Sequence, residues 1–318
     1  MNLVRRRLLA AAIVAGSSAS HILAQTAVDR GGIAKRALVL GAGGVTGIAW
    51  ATGIVAGMAR EGADLSQAER IIGTSAGSVV GAQLACGVTP ESLVATQLNP
   101  PAESKEQSRP YSQAGADAQL RALFDKVGGD LKAARRFIGA MALRSSTVLP
   151  AERRAIIAAR LPQSQWPAQG LAVVAVDAED GEYRVFDRNS GVDFTDAVMA
   201  STAVPGTWPV VTIGGRRYMD GGMRSLTNAD LANGAEHVLI LAPLGYSENN
   251  PVIGHLRAEV RQLEAAGATV TVIVPDTASL AAIGDNVLDP ARAPSSARAG
   301  LEQGLALGRS LLPIWRRT

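Results

Sequence analysis

Ser75 stands in Gly73-Thr74-Ser75-Ala76-Gly77, with a glycine two residues to either side. That spacing suits a nucleophile carried on a sharp turn from a strand into a helix. The turn needs small neighbours, because the serine backbone is strained and the strand and helix pass close together behind it. At the start of the helix, unpaired N–H groups and the helix dipole favour negative charge, as on an oxyanion formed by attack on an ester carbonyl. A second segment, Gly41-Ala42-Gly43-Gly44-Val45-Thr46-Gly47, can bring backbone amides up to a ligand and cradle either a phosphate or an oxyanion. Dinucleotide spacing counted from Gly41 would require glycine where the chain has Thr46, and a P-loop lysine is missing. A nucleotide- or phosphate-binding protein is therefore the non-enzymatic alternative, and a weaker one.

A serine nucleophile needs a base within hydrogen-bond reach. Asp220, in Tyr218-Met219-Asp220-Gly221-Gly222, is one candidate. The same string is also the signature of a plain turn, since Asp bonds its own backbone and glycine accepts positive φ. Histidine is scarce, with only His21, His237 and His255 in the chain. His21 lies in the N-terminal leader, and His237 opens an apolar run as a strand-start residue. His255 has the chain order of a Ser, Asp, His triad and stands as the second candidate base.

These residues need a scaffold, and the apolar pattern supplies one. Leu38 to Leu40, Ile71 to Ile72, Leu171 to Val176, Val238 to Leu241 and Val270 to Val274 read as buried strands that alternate with helical stretches. Alternation of this kind implies an α/β fold with a mainly parallel central sheet and helices on both faces. Val210 to Ile213 turns at Gly214-Gly215 into Arg216 to Tyr218, a hairpin that leads to Asp220. Val79, Val80 and Leu84 give the helix after Ser75 its apolar face. Between about 99 and 167 the character changes to amphipathic helices, such as Leu120 to Phe124 and Ala134 to Ile138. They read as packing on the sheet or as a cap that brings Phe124, Phe137, Ile138, Met141 and Leu143 near a bound acyl chain. Ala297 to Leu312 has helical spacing suited to core packing, with an amphipathic membrane anchor as the alternative.

Charge and composition bound the function further. The chain of 318 residues is 47% hydrophobic, and no linker divides the motif-bearing part, so 25–318 reads as a single domain. Arg5-Arg6-Arg7, the apolar run Leu8 to Ala15 and small residues before Ala24 resemble an export signal over 1–24, with a twin-arginine character. The expected location is the periplasm, with the cytoplasm as the alternative. Those three arginines are matched by no acid within 1–24, which leaves 28 basic and 28 acidic side chains in the remainder. The basic balance thus gives no reason to expect nucleic acid as a partner, and any transient membrane-surface contact has to be local. Cys86 is the sole cysteine, so no intramolecular disulfide forms.

Taken together, the glycine loop at 41 to 47, Gly-Thr-Ser-Ala-Gly at 73 to 77, Ala200-Ser201-Thr202-Ala203-Val204-Pro205 with Pro209, and Asp220-Gly221-Gly222 with Asn228 resemble the patatin-like phospholipases. The resemblance spans roughly 36 to 245. It implies a three-layer α/β/α fold with a helical cap-like insertion, and a serine acyl hydrolase of lipid or lipid-like esters. It also implies a Ser-Asp dyad, with Ser75 as nucleophile, Asp220 as base and no catalytic histidine. The amides of Gly43 and Gly44 would hold the oxyanion, with Gly41, Gly47, Gly73, Gly77, Gly221 and Gly222 as motif support. No metal or cofactor is required. An acyltransferase on the same elbow, with an alcohol or thiol replacing water, is the alternative enzyme. Two positions depart from the family pattern. Ala42 replaces the first glycine of the loop, and Thr46 stands where many relatives carry Arg or Lys, which weakens the expectation of strong phospholipid preference.

Overall fold

The computed structural model describes residues 34–101, 107–246, 250 and 255–315. The export-signal reading of 1–24 lies outside them. Eight strands in the described residues make one sheet: β1 (Arg36–Leu40), β2 (Arg70–Thr74), β3 (Gly170–Asp177), β4 (Tyr183–Phe186), β5 (Val211–Ile213), β6 (Arg216–Asp220), β7 (His237–Leu241) and β8 (Thr269–Ile273). Five of them run parallel in the order β3–β2–β1–β7–β8, while β4 and β6 pair antiparallel with β3 and β5 closes the hairpin with β6. The inner runs β3, β2, β1 and β7 are largely apolar because both faces of a parallel sheet are covered, while β8 at the edge is only partly buried. Leu38, Leu40, Ile71, Leu171, Val173, Leu239 and Leu241 pack into one core. Their alternating neighbours Ala37, Val39, Ile72, Ala172, Val174, Val238 and Ile240 pack into another.

The first core is covered by α1 (Gly44–Arg60), α2 (Ala76–Ala85), α7 (Phe194–Ser201) and α10 (Ala293–Trp315), and the second by α8 (His255–Ala265) through Leu256 and Leu263. The mainly parallel, three-layer expectation therefore holds. The C-terminal helix is a core element: a Cβ placed on Gly53 would lie 2.3 Å from the Ala297 carbonyl oxygen, and one on Gly300 2.3 Å from that of Trp50. Only bare backbone lets α1 and α10 approach so closely. The short strand β4 had no counterpart in the sequence reading; three of its four residues are half-buried and only Phe186 is buried, which gives too little apolar signal.

Between α3 (Pro90–Leu98) and β3 come α4 (Gln113–Lys126), α5 (Leu131–Ala142) and α6 (Pro150–Arg160). Both readings of this stretch have a part in the outcome. Ile157 of α6 joins the first core, whereas α4 and α5 reach over the carboxyl end of the sheet. The remaining described helix is α9 (Thr277–Ile283).

Candidate active site

Register brings the two halves of the site together. Thr74, the last residue of β2, lies opposite Val174 of β3, and Asp220, the last of β6, lies opposite Ala175, the next residue along. Because β4 occupies the other edge of β3 at Val173 to Val176, β2 and β6 share one edge and point at each other end to end. Ser75 and Asp220 are the residues at that junction. The Ser75 hydroxyl donates to Asp220 Oδ2 at 2.6 Å.

Ser75 takes φ 53 and ψ −118, a backbone region that serine rarely adopts. Its surroundings hold it there. Its N–H donates to Ser201 Oγ at 2.9 Å, and its carbonyl accepts from the Ser78 hydroxyl at 2.7 Å. The flanking glycines are fixed by contact rather than by φ. A Cβ on Gly73 would sit 2.5 Å from Ser78 Cα, and one on Gly77 only 1.9 Å from the Leu40 carbonyl oxygen. Ser201 belongs to a block that the sequence matched to the family without a role for its hydroxyl, and nothing local in the sequence reveals that role. Replacing it with alanine leaves the Ser75 N–H buried without its acceptor. The expected loss is about 1–3 kcal/mol of stability, measured by urea denaturation.

Asp220 is 3% exposed. Its Oδ1 accepts from the Gly222 N–H at 2.7 Å, and its own N–H donates to the Ala203 carbonyl at 3.0 Å. Burial is the largest influence on its carboxyl. Opposed by hydrogen bonds from Ser75 and Gly222 and by the charge of Arg153, it pushes the pKa up to about 6. Arg153 of α6 is itself buried, 4.0 Å over the Trp208 ring, and was not singled out in the sequence. Gly221 and Gly222 form a short 3-10 turn in which Asp220 does bond its own backbone, as the alternative turn reading has it, but neither glycine takes positive φ. Gly221 is required by closeness instead: a Cβ there would lie 2.3 Å from the Val174 carbonyl oxygen. Asn228, in left-handed backbone, fastens both arms. Its side-chain amide donates to Thr74 Oγ1 at 3.0 Å and to the Gly221 carbonyl at 3.4 Å.

The glycine loop lies beside this pair. Its N–H groups at Gly41, Ala42, Thr46 and Gly47 are committed to the carbonyls of Leu241, Leu226, Val287 and Gly43. Those of Gly43 and Gly44 have no acceptor among the described residues, and both glycines line the cavity that contains Ser75. Amides without an acceptor at the amino end of a helix are suited to stabilise a negative charge. Ala42 also lines the cavity, and a Cβ on Gly222 would meet its methyl at 3.6 Å, so the extra carbon narrows the wall beside Asp220. Thr46 is fully buried and turned to the Val287 carbonyl, not to the cavity.

The cavity holds about 620 Å³. Ser75, Asp220, Gly43 and Gly44 share its wall with Leu120 and Leu123 of α4 and with Phe137, Ile138 and Met141 of α5. Phe124 and Leu143, grouped with these by the sequence reading, point elsewhere. Phe124 packs at Gly129, and Leu143 joins the cluster around Val176 and Met219. His255 opens α8 in the opposite layer and does not line the cavity, and His237 starts β7.

A family model described as patatin-like phospholipase matches residues 38–233. Among solved structures, the chain is similar to VipD from Legionella pneumophila at 13% identity and a TM-score of 0.41, covering 88% of this chain and 67% of that one. It is also similar to the type III effector protein ExoU at 18% identity and a TM-score of 0.38, covering 87% of this chain and 54% of that one. The chain thus spans about half the length of ExoU. No curated protein matches it.

Proposed function

Because this chain belongs to the patatin-like phospholipase family, which implies lipid acyl hydrolysis, we propose that it cleaves fatty-acyl esters of phospholipids or other lipids through Ser75 and Asp220. The observation that carries this reading is the 2.6 Å hydrogen bond from Ser75 to Asp220 on the wall of an apolar cavity. Asp220 Oδ2 takes the hydroxyl proton as Ser75 Oγ attacks the ester carbonyl carbon, and the N–H groups of Gly43 and Gly44 hold the resulting oxyanion. Collapse breaks the bond to the alcohol oxygen, which leaves with the proton from Asp220. Water then attacks the acyl-enzyme, gives its proton to Asp220 and releases the fatty acid as Ser75 Oγ regains that proton. A carboxylate of ordinary pKa is a poor base for this work, and burial raises Asp220 toward the working range.

The cavity also suggests which part of the substrate enters. Asp117 and Asp220 are the only charged side chains among the described residues that line it, and no Lys, Arg or His does. Burial and the carboxylates Asp220, Asp117 and Asp285 push the Tyr111 phenol up to about 12, as expected in a negative field. The acyl chain and uncharged ester linkage therefore occupy the interior, while an anionic head group stays at the rim.

A fluorophosphonate probe is expected to label Ser75, as located by peptide mass mapping, and to leave Ser75→Ala unlabelled. Turnover of a soluble medium-chain ester is expected to rise about tenfold per pH unit and level off above about pH 6, as Asp220 ionises. A label at another residue, or none on active protein, defeats the proposal.

A further inference from the structure

The insertion presents to solvent a face that its fold alone does not require. Phe137 and Met141, one helical turn apart on α5, line the cavity mouth and are nevertheless 52% and 38% exposed. Neighbouring apolar side chains left open beside a cavity mark a surface that meets something. The helix is seated firmly. Ala134, Ile138, Gly139 and Ala142 are buried on its other side, and a Cβ on Gly139 would lie 1.9 Å from the Ala178 carbonyl oxygen. The exposed pair is thus held outward by a backbone-to-backbone contact.

One cation meets the pair directly, and two more are exposed on the same stretch. Lys126, at the end of α4, stands over the Phe137 ring at 5.4 Å. Arg136, its stem lying beside Gly181, and Arg144, seven residues beyond Phe137, are both exposed. Lys132 and Arg154, also on the insertion, are paired with Glu182 and with Asp193 and Asp196. Lys126, Arg136 and Arg144 have no carboxylate in salt-bridge contact among the described residues. Asp125 and Asp130 flank the α4–α5 turn and weaken this positive face without cancelling it. The imbalance extends through the insertion: residues 99–167 hold 11 basic and 6 acidic side chains, against 17 and 22 in the rest of 25–318. Neutrality of the whole therefore conceals a positive insertion on a negative body.

We propose that this face docks the protein on a negatively charged lipid surface, with Phe137 and Met141 entering the interface and Lys126, Arg136 and Arg144 meeting the head groups. Charge complementarity selects that occupant, and the cavity mouth opens where a lipid ester would leave the surface. Docking of this kind requires no chemistry at Ser75, so it can be tested apart from the hydrolase reading.

The test uses full-length Ser75→Ala protein, which leaves the vesicles intact, in co-sedimentation with phosphatidylcholine vesicles with and without phosphatidylglycerol. Binding is expected to the anionic vesicles alone and to fall with added salt. Arg136→Glu with Arg144→Glu is expected to lower it by about tenfold or more. Arg261→Glu with Arg298→Glu, the same change of net charge on α8 and α10, is expected to bind as before. In the Ser75 background both double variants should keep wild-type turnover of a soluble ester, which confirms that they fold. Equal binding to neutral and anionic vesicles, undiminished binding by the Arg136/Arg144 variant, or equal loss by both double variants would overturn the proposal. So would self-association through this face, seen by light scattering, without vesicle binding. Failure of wild-type protein to turn over a soluble ester bears on the hydrolase reading and leaves docking untouched.

Discussion

Asp220→Asn is expected to lower ester turnover by about 10³–10⁴-fold and, at the same time, to stabilise the protein above pH 6. The loss follows from removing the carboxylate to which the Ser75 hydroxyl donates, the one acceptor of that hydroxyl among the described residues. Asparagine still accepts from the Gly222 N–H and can donate to Ser75 Oγ, so the geometry survives while the base does not. The gain in stability follows from burial. Below about pH 3.8 the Asp220 carboxyl is protonated in folded and unfolded chains alike, and its neutral form is no burden to folding. Between that value and about 6, the unfolded chain releases the proton and the folded chain retains it, so stability falls as pH rises. Above about 6 the full cost of the buried carboxylate is present, on the order of 2–3 kcal/mol. The Asn variant lacks that cost. Urea denaturation at pH 4 and pH 8 should show its advantage at pH 8 shrinking toward pH 4, and His255→Asn should match wild type in turnover. An Asp220→Asn enzyme within tenfold of wild type would remove Asp220 from the role of base.

Gly77→Ala is expected to destabilise the fold by about 3 kcal/mol or more, although alanine is the better helix former by about 1 kcal/mol. The new methyl would fall 1.9 Å from the Leu40 carbonyl oxygen and 2.2 Å from its carbon. Leu40 belongs to β1, which is hydrogen-bonded on both edges, so the obstacle is main chain that has no room to yield. Gly77 N–H also donates to the Gly41 carbonyl at 3.1 Å, which ties the elbow helix to the glycine loop. Pushing α2 away would therefore separate Ser75 from Gly43 and Gly44 as well as loosen the core. The denaturation midpoint and the turnover of whatever protein folds both test this. A variant with wild-type values for both would mean that β1 and α2 are less closely fitted than the structure has them.

The positive insertion shows what a whole-chain count hides. Balanced charge from residue 25 onward suggested no general pull toward anionic membranes. Folding places Lys126 and Arg136 on the two helices that line the cavity, with Phe137 and Met141 at its mouth. Amphipathic spacing predicted helices in that stretch, yet it left Phe124, Phe137, Ile138, Met141 and Leu143 as equals. The seating of Gly139 on Ala178 sorts those on α5, because it fixes the rotation of that helix, while Phe124 belongs to α4 and turns to Gly129.

The sequence by itself determined the elements and the local chemistry of each motif. Short apolar runs that alternate with helical stretches call for a parallel sheet covered on both faces, since the intervening helices are what bury such strands from either side. The elbow around Ser75 is equally local, because strained backbone and close strand–helix passage demand small residues within two positions of the serine. The tertiary structure alone decided which groups meet. Ser75 and Asp220 are 145 residues apart, and their contact depends on β2 and β6 sharing one edge of β3 in adjacent register. Ser201 holding the Ser75 N–H, Asn228 joining Thr74 to Gly221, and Arg153 opposing the rise in the Asp220 pKa are decided at the same level. A hydrogen bond or a burial cost belongs to a pair of groups in space, and periodicity along one chain carries no information about which distant partner will arrive.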